Sequence, residues 1–356
     1  MPPILLPSMA LRTPLTDLLG IQHPVMLAGM ASISGHELAA AVSAAGGIGS
    51  FGGVSMQPSG LRNEIRMLKE ELERLGAPNA PWGVDLLLPK VGEGARKTNK
   101  DYTEGNLDEL VDIMIAEKAT LFISAVGVPP VQVVEKLHAA GIVVANMIGA
   151  PHHVDHALRV GCDFVIAQGT EAGGHTGDVA TMPLIPQCVD KVRGKTNFFG
   201  KPVFVVGAGG IFDGRGLAST LCLGAAGVWV GTRFIAAEEA NSSTVHKKRV
   251  LEAKSVDTTR TIAFTGRPCR VMKTPYVVDW ETNRGDEIKQ LTAQGTIPFA
   301  KDISDGKASP SEFFPSLMGQ VAGAVTSIKP AKEIVHSMVQ EAVLALQQNT
   351  ATIAKL

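Results

Sequence analysis

One ten-residue run holds the residues best suited to catalysis, a single imidazole among glycines. Residues 168–177 read QGTEAGGHTG and directly follow the apolar run 163–167, which has the composition of a buried strand. Glycine lets the backbone approach a flat ligand closely, and the imidazole of His175 gains or loses a proton near neutral pH. Because α/β enzymes commonly present a catalytic group in a turn after a strand, this run predicts an enzyme with His175 as the acid–base residue.

Two later glycine-rich turns predict a phosphate site. They span residues 206–211 (VGAGGI) and 230–233 (VGTR), after the seventh and eighth apolar runs. In α/β barrels the loops at these positions often hold phosphate, through free backbone N–H groups and a short helix N-terminus. A GxGxxG fingerprint from Gly207 would need glycine where Phe212 stands, and no P-loop motif is present. The turns therefore favour a mononucleotide such as FMN over NAD or ATP.

Other candidate residues give weaker signals. His152 and His156 have the i, i+4 spacing of a metal pair, but no HExxH glutamate and no third ligand accompany them, so we expect no metal. One of the histidines at 152, 153 and 156 could instead border the substrate pocket. Neither Ser50 nor Ser124 lies in a GxSxG motif, which argues against a serine hydrolase. The four cysteines share no metal or redox spacing and are expected to be buried thiols in a reducing compartment.

Eight apolar runs alternate with amphipathic helical segments. Each run is almost unbroken, as expected for parallel strands covered on both faces and joined by helical crossovers. The predicted strands are residues 24–30, 46–52, 82–88, 121–126, 142–148, 164–168, 202–206 and 227–231, and the predicted helices are 35–45, 61–75, 107–117, 131–140, 154–160 and 214–223. Asp213 is expected to cap the last of these helices. Eight units over about 235 residues match a (β/α)8 TIM barrel, which takes ~250 residues, and an open doubly wound sheet is the alternative.

The alternation stops after the eighth strand. We interpret residues 241–316 as a lid or substrate domain inserted between strand 8 and its closing helix, and residues 1–240 with 317–356 as the barrel. The helical pattern returns at residues 316–325 and 330–347. The basic triplet Lys247, Lys248 and Arg249 is interpreted as a solvated helix face.

Composition excludes several classes of partner. The chain has 356 residues, of which 45% are apolar and 19% charged, and its net charge is -1, so nothing favours nucleic acid or an anionic membrane. The N-terminus lacks a basic leader, and no apolar run reaches the ~20 residues needed to span a bilayer. We therefore expect a cytoplasmic enzyme of a small-molecule substrate, and the sequence is compatible with a homodimer.

With these pieces in place, the chain resembles the nitronate monooxygenase (2-nitropropane dioxygenase-like) family. The resemblance runs through residues 21–30, 46–49, 168–177, 207–211, 227–232 and 318–323, and its most specific part is the EAGGH sequence at 171–175. The family is an FMN-binding TIM barrel with a smaller domain over the active site. Members often read Gly-Val-Asn on the third strand, where this chain has Gly83-Val84-Asp85.

The resemblance also implies a cofactor and its contacts. Ala28, Gly29 and Met30 would line the isoalloxazine of FMN, and His175 would move a substrate proton. The remaining implied FMN contacts lie on the third strand, the histidine turn and the two late turns: Asp85, Gln168, Gly173, Gly174, Gly207, Gly209, Gly210, Trp229, Val230, Gly231 and Thr232.

The implied reaction is oxidation of an alkyl nitronate, or a nitroalkane, with O2 to a carbonyl compound and nitrite. The alternative keeps the barrel and FMN but runs electrons from NAD(P)H to a quinone or an enoyl thioester, with His175 donating a proton. A third alternative is a flavin-binding or metabolite-sensing scaffold without catalysis.

Overall fold

In a computed structural model, which describes residues 11–309 and 315–350, the eight predicted strands form one parallel sheet. They are β1 (Val25–Leu27), β2 (Gly49–Gly52), β3 (Trp82–Leu87), β4 (Leu121–Ala125), β5 (Val143–Ile148), β6 (Phe164–Gln168), β8 (Val205–Ala208) and β9 (Val228–Val230), in the order β1-β9-β8-β6-β5-β4-β3-β2. The two ends of the sheet meet because Leu27 N–H donates to the Ile48 carbonyl at 2.9 Å and Met26 bridges Ile48. The fold is a TIM barrel, as predicted.

Helices cover the outside of the barrel. They are α1 (Pro14–Leu19), α2 (His36–Ala44), α3 (Pro58–Arg74), α4 (Leu107–Ala116), α5 (Val131–Ala139), α6 (His153–Arg159), α7 (Thr181–Val192), α8 (Gly214–Cys222), α9 (Thr232–Ile235) and α14 (Ala331–Thr350). α14 packs against α8 and α2 and so completes the ring of helices.

The strands bury both faces, so the core has two layers. Ile123, Phe164 and Ile166 are among the side chains that fill the barrel interior, where Leu15 and Leu19 of α1 join them from the amino ends of the strands. A larger layer lies between the sheet and the surrounding helices. Alternate residues of an unbroken apolar strand supply each layer, which explains the absence of polar alternation in the sequence.

A second unit lies between β9 and α14. It contains α10 (Thr244–Glu252), the hairpin β10 (Thr258–Thr261) and β11 (Cys269–Met272), then α11 (Pro275–Thr282), α12 (Gly285–Ala293) and α13 (Pro298–Ser304). β11 also pairs antiparallel with β7 (Gly174–His175), which belongs to the loop after β6. The fully buried Trp280, with the Arg284 guanidinium 3.3 Å from its ring centroid, anchors a small core of this unit.

Several predictions about local structure were wrong. The segment 316–325 is not an α-helix but extended chain with one 3-10 turn (Gln320–Ala324), because Gly319 and Gly323 press against neighbouring backbone. The seventh strand runs to Ala208, beyond its predicted end at 206. The helix α7 was not predicted because Pro186 lies inside it. Cys162, Cys188 and Cys269 are buried as expected, but Cys222 is exposed.

No helix among residues 11–309 and 315–350 has the length and apolar character needed to cross a bilayer.

Candidate active site

A cavity of about 2010 Å³ opens at the carboxyl ends of the barrel strands. Loops after the strands line one side of it, and α10 and the β10–β11 hairpin region line the other. This is the end of a TIM barrel at which active sites occur, because the loops there can vary without disturbing the packed interior. The cavity exceeds the ~300–1,000 Å³ of ordinary small-molecule pockets, so it has room for a cofactor and a second ligand.

His175 lies where the barrel meets the inserted unit. It pairs with Cys269 in the β7–β11 ladder, and its Nε2 lies 3.0 Å from the Thr265 hydroxyl. Burial lowers the pKa of His175 to about 4, and the nearby Arg267 contributes to this shift. The imidazole is therefore neutral at pH 7.

Thr265 is the hydrogen-bond partner of His175. Its hydroxyl lies 3.0 Å from Nε2 and also contacts the Arg267 carbonyl at 3.3 Å. A side chain of the inserted unit therefore helps to hold the imidazole in position.

The loop that carries His175 is braced from two directions. Glu171 accepts from the Thr181 amide at 3.0 Å and from its hydroxyl at 2.9 Å, and the same hydroxyl contacts the Gly209 carbonyl at 2.9 Å. On the other side a Cβ on Gly173 would lie 2.6 Å from the Met318 carbonyl carbon, so only glycine fits there. The histidine turn is therefore fixed by packing, which is the role of its glycines and its glutamate.

The turn after β8 presents unused backbone donors. Gly209 and Gly210 have φ of +90° and +74°, and a Cβ on Gly209 would lie 2.9 Å from the Gly169 carbonyl oxygen. Within the described residues, no hydrogen bond engages the amide N–H of Gly209, Gly210 or Gly231. Successive free amides in glycine turns form an anion-binding concavity.

The N-terminus of α8 is not part of this concavity. Asp213 caps it as predicted, accepting from the Gly216 amide at 3.0 Å, and Glu341 accepts from the Gly214 amide at 2.9 Å. The expected contribution of a short helix N-terminus to the phosphate site is therefore absent at α8, because its first amides already have carboxylate partners.

Asp85, at the carboxyl end of β3, is buried without a partner. Its Oδ1 has no hydrogen bond within the described residues, and burial raises the pKa of Asp85 to about 8. The carboxyl group packs so closely on Gly29 that a Cβ there would overlap it. Burying a carboxyl group without a hydrogen-bond partner lowers the stability of the fold, and such groups are rare. Because Asp85 borders a cavity, a bound ligand can offset this loss by forming a hydrogen bond with it.

The cavity brings together most of the residues singled out from the sequence. Its lining includes Ala28, Gly29, Met30, Asp85, Gln168, Gly173, Gly174, His175, Gly209, Gly210, Trp229, Gly231 and Thr232. Gly207 and Val230 do not line it. Gly207 lies within β8, where a Cβ would contact Thr220 and Ile185 of the surrounding helices, and Val230 is buried in the outer core layer.

Other residues of the cavity were not identified from the sequence. Thr265 and Arg267 lie in the inserted unit, where only the Gly-Arg-Pro turn signal at 266–268 could have drawn attention. Of the three clustered histidines, His153 and His156 line the cavity and His152 does not. The described residues contain no group of side chains able to hold a metal ion.

Comparison with known proteins decides the family. A model described as nitronate monooxygenase matches residues 12–341. The chain belongs to the nitronate monooxygenase family. It is therefore an oxidoreductase, of a family whose members are generally flavoenzymes.

Three similar proteins differ in their named activities. A Mycobacterium tuberculosis dehydrogenase of 5-hydroxy-7a-methyl-1-oxo-octahydro-1H-indene-4-carboxyl-CoA is 32% identical over 97% of this chain and 100% of its own. FabK from Thermotoga maritima has a TM-score of 0.77 and 31% identity, covering 96% of this chain and 100% of that one. A nitroalkane oxidase from Streptomyces ansochromogenes has a TM-score of 0.74 and 26% identity, covering 95% and 100%.

Proposed function

We propose that the protein is an FMN-dependent nitronate monooxygenase that oxidises alkyl nitronates with O2 to carbonyl compounds and nitrite. The observation that carries the proposal is the neutral, half-buried imidazole of His175 in one cavity with a glycine anion cradle and the unpartnered Asp85. Family membership and the likeness to a nitroalkane oxidase support it.

The cavity fits FMN at both ends of the cofactor. We infer that the free amides of Gly209, Gly210 and Gly231 hold the phosphate, with Trp229 and Thr232 in the same wall. Asp85 and Gln168 would meet the polar edge of the ring, and Ala28, Gly29, Met30, Gly173 and Gly174 would border it. When bound, FMN accepts the electrons of the substrate and passes them to O2.

The protonation state of His175 favours an ionised substrate. An imidazole with a pKa near 4 is a weak base, so it removes a proton from a neutral nitroalkane slowly. A nitronate has already lost that proton and needs only a hydrogen-bond partner and a compensating charge. Its oxidation does not require the imidazole to accept a proton, which supports a nitronate as the preferred substrate.

We further propose that residues 241–316, described up to 309 and from 315, act as the lid of this site. The support is direct contact: the Thr98 hydroxyl donates to the Gly266 carbonyl at 3.4 Å, and β11 pairs with β7. These contacts support a lid in which Thr265 and Arg267 would cover the mouth of the barrel and limit access of bulk water to His175.

A second candidate function is supported by the size of the cavity. An FMN-dependent NAD(P)H:quinone or enoyl-thioester reductase would use the same barrel, and the volume exceeds what FMN and a small nitronate need. Likeness to a carboxyl-CoA dehydrogenase also favours a larger substrate.

One pair of measurements separates the two functions. The purified flavin-loaded enzyme should consume O2 and release nitrite when propionate 3-nitronate is added, with no requirement for NADPH. Mixed anaerobically with NADPH, its flavin absorbance should stay unbleached over the turnover time. Rapid bleaching, together with no nitronate-dependent O2 uptake, would contradict the monooxygenase and favour the reductase.

Substitution of Gly209 tests the phosphate cradle. Gly209→Ala puts a Cβ at positive φ against the Gly169 carbonyl and should weaken FMN binding by at least about tenfold, the loss of one charge-assisted hydrogen bond. Gly141→Ala is the matched control, since Gly141 has φ +77° but open space around it in the loop before β5. Both variants should lose about 1–2 kcal/mol of stability to the positive φ, and Gly209→Ala should lose more because of the close carbonyl. Only Gly209→Ala should lose FMN in a fluorescence titration. Equal FMN affinities would exclude this cradle.

A further inference from the structure

The half-buried guanidinium of Arg267 is held by neutral groups only. Its Nη1 donates to Asn99 Oδ1 at 2.9 Å and its Nη2 to the Val126 carbonyl at 3.3 Å. Within the described residues it forms no ion pair with a carboxylate. Burial and the neighbouring charge of Arg96 both lower the pKa of Arg267. A cation in this setting lacks the anion that would normally compensate it.

Two more cations extend this charge along the loop after β3. Lys90 and Arg96 are exposed, line the cavity, and form no ion pair with any described carboxylate. Asp101, the acidic residue of the same loop that lines the cavity, is already occupied by the amides of Thr103 and Gly105. The three cations therefore have no ion-pair partner among the described residues, although Asp101 and Asp108 also line this side of the cavity.

The cavity is lined by two more arginines. Arg260 is paired with Asp178, whereas Arg249 donates to the neutral Ser316 hydroxyl at 2.8 Å and has no carboxylate partner among the described residues. Three of the four arginines and lysines of the cavity that lack an ion pair, Lys90, Arg96 and Arg267, therefore lie together on one side of it.

That side is remote from the proposed FMN phosphate. Arg267 contacts Val126 at the end of β4, and Arg96 and Asn99 follow β3. Around the closed eight-stranded barrel, β9 is the fourth strand from β4 in either direction, and β8 is the fourth strand from β3. These residues therefore lie across the barrel mouth from the glycine turns. One phosphate cannot serve both positions.

The backbone at Val126 is strained in a way that supports a binding role. Its φ is +70°, which is rare for a β-branched residue, and its carbonyl is the acceptor for Arg267. Such strain is concentrated at ligand clamps. Here the strained residue supplies the carbonyl that accepts a hydrogen bond from the Arg267 guanidinium at the cavity wall.

Apolar side chains surround the cations. Val91, Val128 and Val131 line the same side of the cavity and remain 48%, 36% and 44% exposed. A rim that combines exposed valines with unpaired cations suits a ligand that carries both an organic chain and an anionic group.

We propose that Lys90, Arg96 and Arg267 form a second anion subsite, which binds the phosphate or pyrophosphate of an elongated organic ligand while FMN occupies the glycine turns. A coenzyme A thioester and a nicotinamide dinucleotide both carry this chemistry. The subsite does not depend on nitronate oxidation, because it is defined by binding and not by turnover.

Calorimetric titration of the flavin-loaded enzyme tests the subsite with non-reacting probes. Coenzyme A and NADP+ are compared with pantetheine and nicotinamide riboside, which lack the phosphates. At least one phosphorylated probe should bind about tenfold or more tightly than its phosphate-free counterpart, and more weakly at high salt. Preference for coenzyme A identifies a thioester ligand, and preference for NADP+ identifies the dinucleotide. If neither binds at millimolar concentration, the proposal is wrong.

Variants tie the binding to these residues. Arg267→Gln should weaken the bound probe roughly ten- to hundredfold, whereas Lys289→Gln, which removes an exposed cation of α12, should have no effect. If Arg267→Gln fails to fold, the double variant Lys90→Gln/Arg96→Gln provides the test, because both side chains are exposed and their replacement should not disturb folding. This double variant should bind the probe several-fold more weakly than wild type. Unchanged affinity in the variants that fold would overturn the proposal. Nitronate turnover is not measured in this experiment, so failure of the proposed reaction would leave its result intact.

Discussion

His175→Asn should lower kcat/KM for a neutral nitroalkane by about 100-fold or more, because the substitution removes the β7 imidazole that is proposed to accept the substrate proton. The same variant should retain much more of its activity toward the preformed nitronate, for which no proton has to be removed. The ratio of the two losses is the informative quantity. It is measured by O2 consumption with each substrate at saturating oxygen.

The control for this variant is structural integrity. His175→Asn should keep its flavin spectrum and its melting temperature, since the backbone pairing of residue 175 with Cys269 does not need the imidazole. Wild-type activity toward the nitronate should also stay flat above about pH 5, since an imidazole with a pKa of about 4 is neutral there. Equal losses for both substrates, with an unchanged flavin spectrum, would rule out a role in proton removal.

Asp85→Asn should make the stability of the flavin-free protein less dependent on pH. The pKa of Asp85 is raised from its ordinary value of 3.8 to about 8, so the folded state holds a proton that the unfolded state releases between these values. Stability is then greatest below the lower pKa and falls as pH rises through this window, by at most about 1.4 kcal/mol per pH unit from this group. The amide cannot ionise, so the variant's advantage over wild type should grow from pH 4 to pH 8.

Chemical denaturation of both proteins at several pH values measures this difference. Asp101→Asn is a useful comparison, because hydrogen bonds from Thr103 and Gly105 lower the pKa of that carboxyl instead. Its loss should be greatest at neutral pH and should fade as pH drops. A constant free-energy difference between Asp85→Asn and wild type across the window would show that Asp85 is ionised in the folded protein.

The barrel was predictable because each strand is an unbroken apolar run and each crossover has helical periodicity. Closure was not, since it depends on the bridge between Met26 and Ile48, which no local pattern encodes. The histidine turn and the glycine turns could be found from residue type and order alone. The position of Gly207 against Thr220 and Ile185 could not be predicted, because a glycine that accommodates helix packing and one that faces a ligand look identical in sequence.

The inserted unit was the least predictable part. Its contribution to the site comes from Thr265 and Arg267, which reach the histidine only through pairing between strands about 95 residues apart in the chain, a long-range contact that local sequence does not specify. The uncompensated state of Arg267 likewise depends on which carboxylates are absent from its surroundings. Neither property is visible until the chain is folded.

The ladder between β7 and β11 has a consequence for how relatives of this enzyme diverge. Because the imidazole of His175 occupies a strand whose partner comes from the inserted unit, exchanging that unit between two homologues should alter the surroundings of His175, the proposed proton-transfer residue, as well as substrate choice. Chimaeras built at residues 241 and 316 should therefore differ from their parents in turnover number as well as in Michaelis constant. In this architecture, selectivity and reactivity are inherited together.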